Sequence, residues 1–245
     1  HDGHYEKGLA ILSRLLHFCE QTGDREMAIQ SHFQMVYYGI QTCNSQVMDE
    51  HLTVLGHLLE GMEHFANYGV YLRLSGLLEL MCGHYPEART ILRQAIETFL
   101  ALDPSMEGRY AINIAGVYNY IAETYRLERN YSQAFLNYDQ AVAYNRNREH
   151  YPGNAMFYTN YGVAAYQSGH LQEAKRLFHY AADIYEESHE YNEYPVTLSY
   201  LALFDSEEGL LQQAAERLTR AFELSNAIGS PRWRGITIYI TWKIR

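Results

Sequence analysis

Apolar residues recur along this chain at helical spacing. Leu9, Leu12, Leu15, Leu16 and Cys19 stand three or four residues apart, which sets them on one stripe of an α-helix. The arrangement then repeats. Gly83-His84-Tyr85-Pro86-Glu87-Ala88 is matched by Gly169-His170-Leu171-Gln172-Glu173-Ala174, by Gly209-Leu210-Leu211-Gln212-Gln213-Ala214 and by Gly3-His4-Tyr5-Glu6-Lys7-Gly8. A weaker copy reads Arg129-Asn130-Tyr131-Ser132-Gln133-Ala134, and a degenerate one ends at Met48. The key positions are therefore 8, 48, 88, 134, 174 and 214, a period of 40 residues with one interval of 46. Flanking positions keep step, with Leu12, Leu52, Leu92, Tyr138, Phe178 and Leu218 four residues on, and Leu15, Leu55, Ala95, Ala141, Ala181 and Ala221 seven residues on. Twelve residues before the key position stand Val36, Gly76, Ala122, Gly162 and Ala202, mostly small, as close contact between two helices requires. Each unit predicts a helix, a short turn at the glycine and a second helix.

The ends and the long interval depart from this pattern. Gly3-His4-Tyr5 opens a second helix whose first-helix partner is absent, so its apolar face is expected to be exposed. The repeat array is assigned to residues 1–228, and residues 229–245 read as the start of a further, truncated helix after Gly229-Ser230-Pro231. Both boundaries suggest a fragment of a larger protein, since repeat arrays need polar caps. After Glu223 there is no acid, while Arg232, Arg234, Lys243 and Arg245 are all basic. Ile236, Ile238 and Ile240 alternate as a strand would, yet Trp233, Ile236, Ile240 and Ile244 also fit a helical face, and the repeat context favours helix. The six extra residues of the long interval fall around Ala101 to Gly108, where Asp103-Pro104 and Gly108 predict a longer loop.

Composition narrows the chemistry. Only 5 prolines in 245 residues suit a helical chain, because proline inside a helix removes a hydrogen bond and clashes with the preceding turn. Acids outnumber bases 29 to 19, for a net charge of −10, which excludes broad binding to a phosphate backbone. No run of apolar residues is long enough to span a bilayer. Cys19, Cys43 and Cys82 form neither a disulfide framework nor a C-x-x-C pair, so a reducing cytoplasm is expected. Twelve histidines contain no H-E-x-x-H, and His4, His84 and His170 share a turn position without a second ligand; His1 and His4 could at most chelate opportunistically. Glu186-Glu187 and Glu207-Glu208 are neighbours that point about 100° apart on a helix and make no catalytic pair. No phosphate-binding glycine loop or nucleophile elbow occurs. No catalytic residue, cofactor or metal ligand is expected.

The repeating residues carry a resemblance. Gly162, Gly169, Leu171, Ala174, Phe178 and Ala181, and again Ala122, Tyr131, Ala134, Tyr138 and Ala141, resemble the consensus of the tetratricopeptide repeat. The unit is longer than the usual thirty-four residues, roughly two extra turns shared between its helices. Such lengthened repeats resemble the sensor arrays of bacterial LuxR-type and maltose-regulator-type activators, antibiotic-regulator families and peptide-sensing Rap-like proteins, and also kinesin light chain. The resemblance implies an all-α fold, a right-handed superhelical solenoid of about six hairpins, whose concave wall is built from first helices.

Carrying that geometry over, the concave positions lie fifteen, eleven and eight residues before each key residue, with position fourteen adding Tyr120, Asn160 and Tyr200. They are apolar in the first units (Phe33 and Ile40, Leu77 and Leu80) and polar through the middle ones. The candidate ligand-binding residues are Tyr37, Arg73, Asn119, Tyr120, Glu123, Arg126, Thr159, Asn160, Tyr166 and Tyr200. Asn119 and Asn160 would pair with peptide amides, Arg73 or Arg126 would meet an acidic group, and the tyrosines would serve as amphipathic walls. The set lacks the lysines of a carboxylate clamp. The expected function is an interaction or sensing module of a multidomain bacterial regulator, binding a peptide, a protein domain or a small effector without binding nucleic acid or membrane, and capable of self-association. A constitutive scaffold and the regulatory array of an enzyme are the alternatives.

Overall fold

In the computed structural model the described residues are 5–105, 108–145, 152–189, 191, 193–229 and 231–244. The expected helix start at Gly3-His4, the pair His1 and His4, Met106 and Glu107 of the long loop, and Arg245 lie outside them. All regular structure among the described residues is helical. The order is α1 (Tyr5–Thr22), α2 (Arg25–Gln41), α3 (Ser45–Leu58), α4 (Ala66–Cys82), α5 (Tyr85–Leu102), α6 (Ala111–Leu127), α7 (Tyr131–Tyr144), α8 (Pro152–Gln167), α9 (Leu171–Ser188), α10 (Tyr194–Glu207), α11 (Leu211–Ile228) and α12 (Pro231–Ile244). From α2 to α11 these are the first and second helices of the units centred on 48, 88, 134, 174 and 214. The fold is thus an all-α stack of consecutive helical hairpins. The ambiguous tail after Gly229 is the helix α12, not a strand.

Each turn is built by the same bond. The amide of the residue that opens the second helix donates to the carbonyl five residues back: Asn44 to Gly39, His84 to Glu79, Asn130 to Tyr125, His170 to Ala165 and Leu210 to Asp205, at 2.8–2.9 Å. Such a bond closes a first helix through one residue in the left-handed region. Gly83, Gly169 and Gly209 supply it with φ of 86°, 84° and 80°, while Cys43 and Arg129 adopt it without being glycine.

The small residue of the first helix is a matter of space. A Cβ added at Gly76 would lie 2.5 Å from Cγ of Leu92, and one at Gly162 would lie 2.9 Å from the ring of Phe178. The repeat's own large residue, four beyond the key position, therefore sits directly on the first-helix backbone. Leu92 and Phe178 are fully buried there, each worth roughly 1.5–3 kcal/mol of transfer free energy.

The chain divides into two compact units, one ending at Thr124 and the other beginning at Tyr125. In the first, Ile29, Val36, Met48, Leu52, Leu55 and Leu74 lie in one core, against which Tyr120 packs. The flanking α1 contributes little to burial: Ile11 and Phe18 are exposed, and Cys19 is buried. The longer loop after α5 is organised by Asp103, whose carboxylate accepts hydrogen bonds from the amides of Ser105 (3.1 Å) and Arg109 (2.9 Å). Those two bonds hold its pKa below the ordinary value. In the second unit Leu177, Phe178, Ile184, Tyr185, Leu198, Leu201 and Phe204 form the core, with Tyr166 and Tyr200 packed against it.

Candidate functional site

In the unit ending at Thr124, the first-helix face gathers around one cation. Arg73 of α4 donates from Nη2 to the hydroxyl of Tyr37 on α2, at 3.0 Å. Its Nε is buried without a hydrogen-bond partner. On the other side, a Cβ at Gly116 of α6 would stand 3.6 Å from Nη1, so the glycine lets that helix backbone approach the guanidinium. No carboxylate pairs with Arg73 among the described residues. Phe33, Leu77 and Leu80 of the same face are buried, Ile40 and Tyr120 are half-buried, and Tyr37 is exposed. Asn119 and Glu123 point inward instead, only 1% and 7% exposed.

In the unit beginning at Tyr125 the polar positions are engaged between helices. Thr159 of α8 is 2% exposed. Its hydroxyl donates to the carbonyl of Ala155 (2.8 Å) and shares a hydrogen bond with that of Thr197 on α10 (2.7 Å). One repeat later, Ser199 of α10 donates to Thr237 on α12 at 3.2 Å. Both pairs span 38 residues, so they are rungs of one ladder. Arg126 donates to the side-chain carbonyl of Gln167 at 3.0 Å, and Asn160 is half-buried.

Two of the aromatic candidates, Tyr166 and Tyr200, meet. Tyr166 packs edge-on against Tyr200 with ring centroids 5.3 Å apart, and Tyr200 stacks on Phe178 at 4.8 Å. Lys243 of α12 lies over the Tyr166 ring, 5.1 Å from its centroid, and donates to its hydroxyl at 3.1 Å. That hydrogen bond holds the ammonium above its ordinary pKa. The sequence pattern groups Lys243 with a basic tail and not with the site. A signal for it does exist, since it stands eleven residues before the next expected key position, the same place as Tyr37.

Away from this face, a cavity of about 610 Å³ is lined by Glu186, Tyr191, Tyr194, Leu198, Gln213, Glu216, Arg217 and Arg220. Tyr194 donates to Glu186 at 2.5 Å. Burial and then that carboxylate push its phenol well above the usual range. Arg217 is paired with the buried Asp205 at 2.7 Å, and Arg220 lies against the Tyr191 ring. The cavity has acid and base in balance. Among the described residues no three His, Cys, Asp or Glu side chains converge as metal ligands, and no helix is long and apolar enough to cross a membrane.

Comparison with known proteins places the architecture. No family model matches the chain, and no curated protein sequence does. Solved structures match at low identity. The TPR-like repeats of a kinesin light chain from Podosopora anserina superpose with a TM-score of 0.56 at 18% identity, over 80% of this chain and 94% of that one. The fold is TPR-like. BtubC (BKLC) from P. vanneervenii gives a TM-score of 0.59 at 17% identity, over 89% of this chain and 92% of its own. Aspartyl phosphate phosphatase F from Bacillus subtilis gives 0.67 at 13% identity, over 95% of this chain. This chain spans only 60% of that phosphatase. At such identities the likeness is one of fold, and activity does not travel with it.

Proposed function

We propose that the chain is a non-catalytic protein-interaction module that docks an acidic segment of a peptide or partner protein on the first-helix face, with Arg73 and Tyr37 as its anchor. The observation that carries this reading is the state of Arg73. A half-buried guanidinium with one nitrogen on a tyrosine hydroxyl and Nε without a partner bears desolvation that no carboxylate among the described residues offsets. An incoming carboxylate on the guanidinium would supply that missing charge, and the exposed Tyr37 beside it offers an amphipathic wall. The buried positions Asn119, Glu123 and Thr159 support the stack rather than the ligand.

In the fuller reading the module is the sensing part of a multidomain bacterial regulator working in the cytoplasm, where docking shifts packing between repeats and so an attached output domain. The lengthened repeat unit supports this, as does the likeness in fold to a bacterial phosphatase over nearly the whole chain. Two exposed free thiols, Cys43 and Cys82, fit a reducing compartment.

The test is selection of random displayed peptides on the immobilised protein, followed by titration of the selected peptides into wild type, Arg73→Gln and Tyr37→Phe. Selected sequences should share a carboxylate at a fixed register, and Arg73→Gln should weaken them about tenfold or more, equivalent to about 1.4 kcal/mol, without lowering the melting temperature. Peptides lacking any shared acid, or bound equally by Arg73→Gln, would overturn the anchor. A module that binds such peptides with no change in an attached domain is a scaffold and not a sensor.

A further inference from the structure

The last helix departs from α8 and α10 in a way that defines a second surface, reaching the same repeat place as Arg73 but in the unit beginning at Tyr125. The ladder fixes its register. Thr159 meets Thr197 and Ser199 meets Thr237 across the same 38-residue step, so α12 continues the series of first helices α8 and α10. In that register Trp242 occupies the place held by Gly162 and Ala202, and Tyr239 the place held by Thr159 and Ser199. The first of these places is where a second helix lands on the first. At Gly162 even a Cβ would crowd Phe178, and Ala202 is fully buried. The other place, held by Phe33 and Arg73 in the first units, carries at Thr159 and Ser199 the short hydroxyl that reaches the next first helix. Both small groups are replaced by aromatic rings on α12, and both rings are exposed, Trp242 by 73% and Tyr239 by 56%.

Ile238, 53% exposed, joins them. At 100° per residue, Arg234, Ile238, Trp242, Gly235 and Tyr239 fall within one face about 140° wide. The opposite face is the one that packs, with Thr237 and Ile240 buried. Gly235 has open space around it, so the centre of the exposed face is flat. The ring-bearing face is therefore not shaped for a repeat helix landing as α9 lands on α8. It has the composition of a binding hot spot, Trp and Tyr beside Arg.

We infer that this face of α12 docks an acidic amphipathic helix of a partner protein, its apolar side on Ile238, Tyr239 and Trp242 and its carboxylates toward Arg234. Charge selects this occupant. No acid follows Glu223, whereas Arg232, Arg234, Lys243 and Arg245 do, in a chain whose net charge is −10. A second copy pairing face to face would bring basic ends together. A partner helix with leucines at i, i+3, i+4 and i+7 and flanking glutamates satisfies both the rings and the arginine.

The probe is a fluorescein-labelled synthetic helix of about 16 residues with that pattern, titrated by fluorescence anisotropy against the protein. A matched peptide with lysine in place of glutamate serves as the comparison. The glutamate peptide should bind saturably, at least about tenfold tighter than the lysine peptide. Trp242→Ala and, separately, Tyr239→Ala should each weaken it by a similar factor; both positions are exposed, so folding, checked by circular dichroism, should persist. Arg73→Gln should leave this binding unchanged, which separates failure here from failure of the first-helix anchor. Equal binding of the two peptides, indifference to Trp242→Ala, or Trp242-dependent self-association in sedimentation velocity would each overturn the assignment. Uptake onto anionic vesicles in preference to the glutamate peptide would do the same.

Discussion

Cys43 and Arg129 hold a backbone conformation, with φ of 54° and 61°, that glycine holds in the other hairpin turns. For an L-residue that region costs on the order of 1 kcal/mol. The compensation sits one residue away. Asn44 and Asn130 cap the following helices, their side chains accepting from the amides of Val47 and Gln133. His84, His170 and Leu210, which follow the three turn glycines, make no such bond. A side-chain cap is worth about 1 kcal/mol, so strain and cap offset each other within the same turn. Arg129→Gly, keeping Asn130, should therefore raise stability by roughly 0.5–1 kcal/mol. Gly169→Ala, which has no cap to lean on, should lower it by about 1 kcal/mol. Urea denaturation of the two variants decides the matter: a loss for Arg129→Gly would mean that its side chain does something in the turn beyond enduring it. The sequence motif around Arg129 is weak because its glycine is missing, and the asparagine beside it is what keeps that turn equivalent.

At the scale of helices, the seam between α8 and α10 is held partly by hydroxyls. Thr159 and Thr197 are both buried, and their mutual bond is 2.7 Å long. Replacing either by valine keeps the volume but leaves the partner hydroxyl with one bond fewer, at a cost of about 1–3 kcal/mol. Thr159→Val with Thr197→Val removes both ends, and the double variant should cost about 1 kcal/mol less than the two single costs combined. Strict additivity in chemical denaturation would show that the bond contributes nothing. This ladder also marks where sequence reading stops. Helices, turns and their order are legible because each depends on residues within a few positions of one another: a glycine, a small residue twelve before the key position, a large residue four after. Thr159 reads as a ligand contact because its position faces the right way in the family. Its partner lies 38 residues ahead, and nothing local announces it. Arg73 and Tyr37 share that distance problem, yet both are legible as candidates because charge and ring are unusual on an otherwise apolar face.

Over the whole molecule, the titration of two histidines gives the stability a direction in pH. His51, on α3, has its pKa lowered from 6.5 chiefly by burial, with Glu50 acting the other way. Its Nδ1 lies 2.8 Å from Nδ1 of His32 on α2, a bond in which only one of the two nitrogens can carry the proton. His179, on α9, is lowered from 6.5 by burial and then by Arg217 and Lys175, with Asp183 and Asp205 opposing. A folded pKa below the unfolded one means that the unfolded chain holds more protons between the two values. Stability from each group is complete above about 6.5 and declines as pH falls through the folded value. The chain's overall charge works in the opposite sense, because acidification reduces the excess of acids that makes it −10 at pH 7 and so relieves self-repulsion. The two effects separate by subtraction. Melting temperatures of wild type, His51→Gln, His179→Gln and the double variant, followed from about pH 7.5 to about pH 5, share nearly the same global charge effect. The wild type should lose more on acidification than either single variant, and the double variant least. Parallel curves for all four would show that neither imidazole is held neutral by its burial, and would remove the histidine pair between α2 and α3 as a source of pH sensitivity.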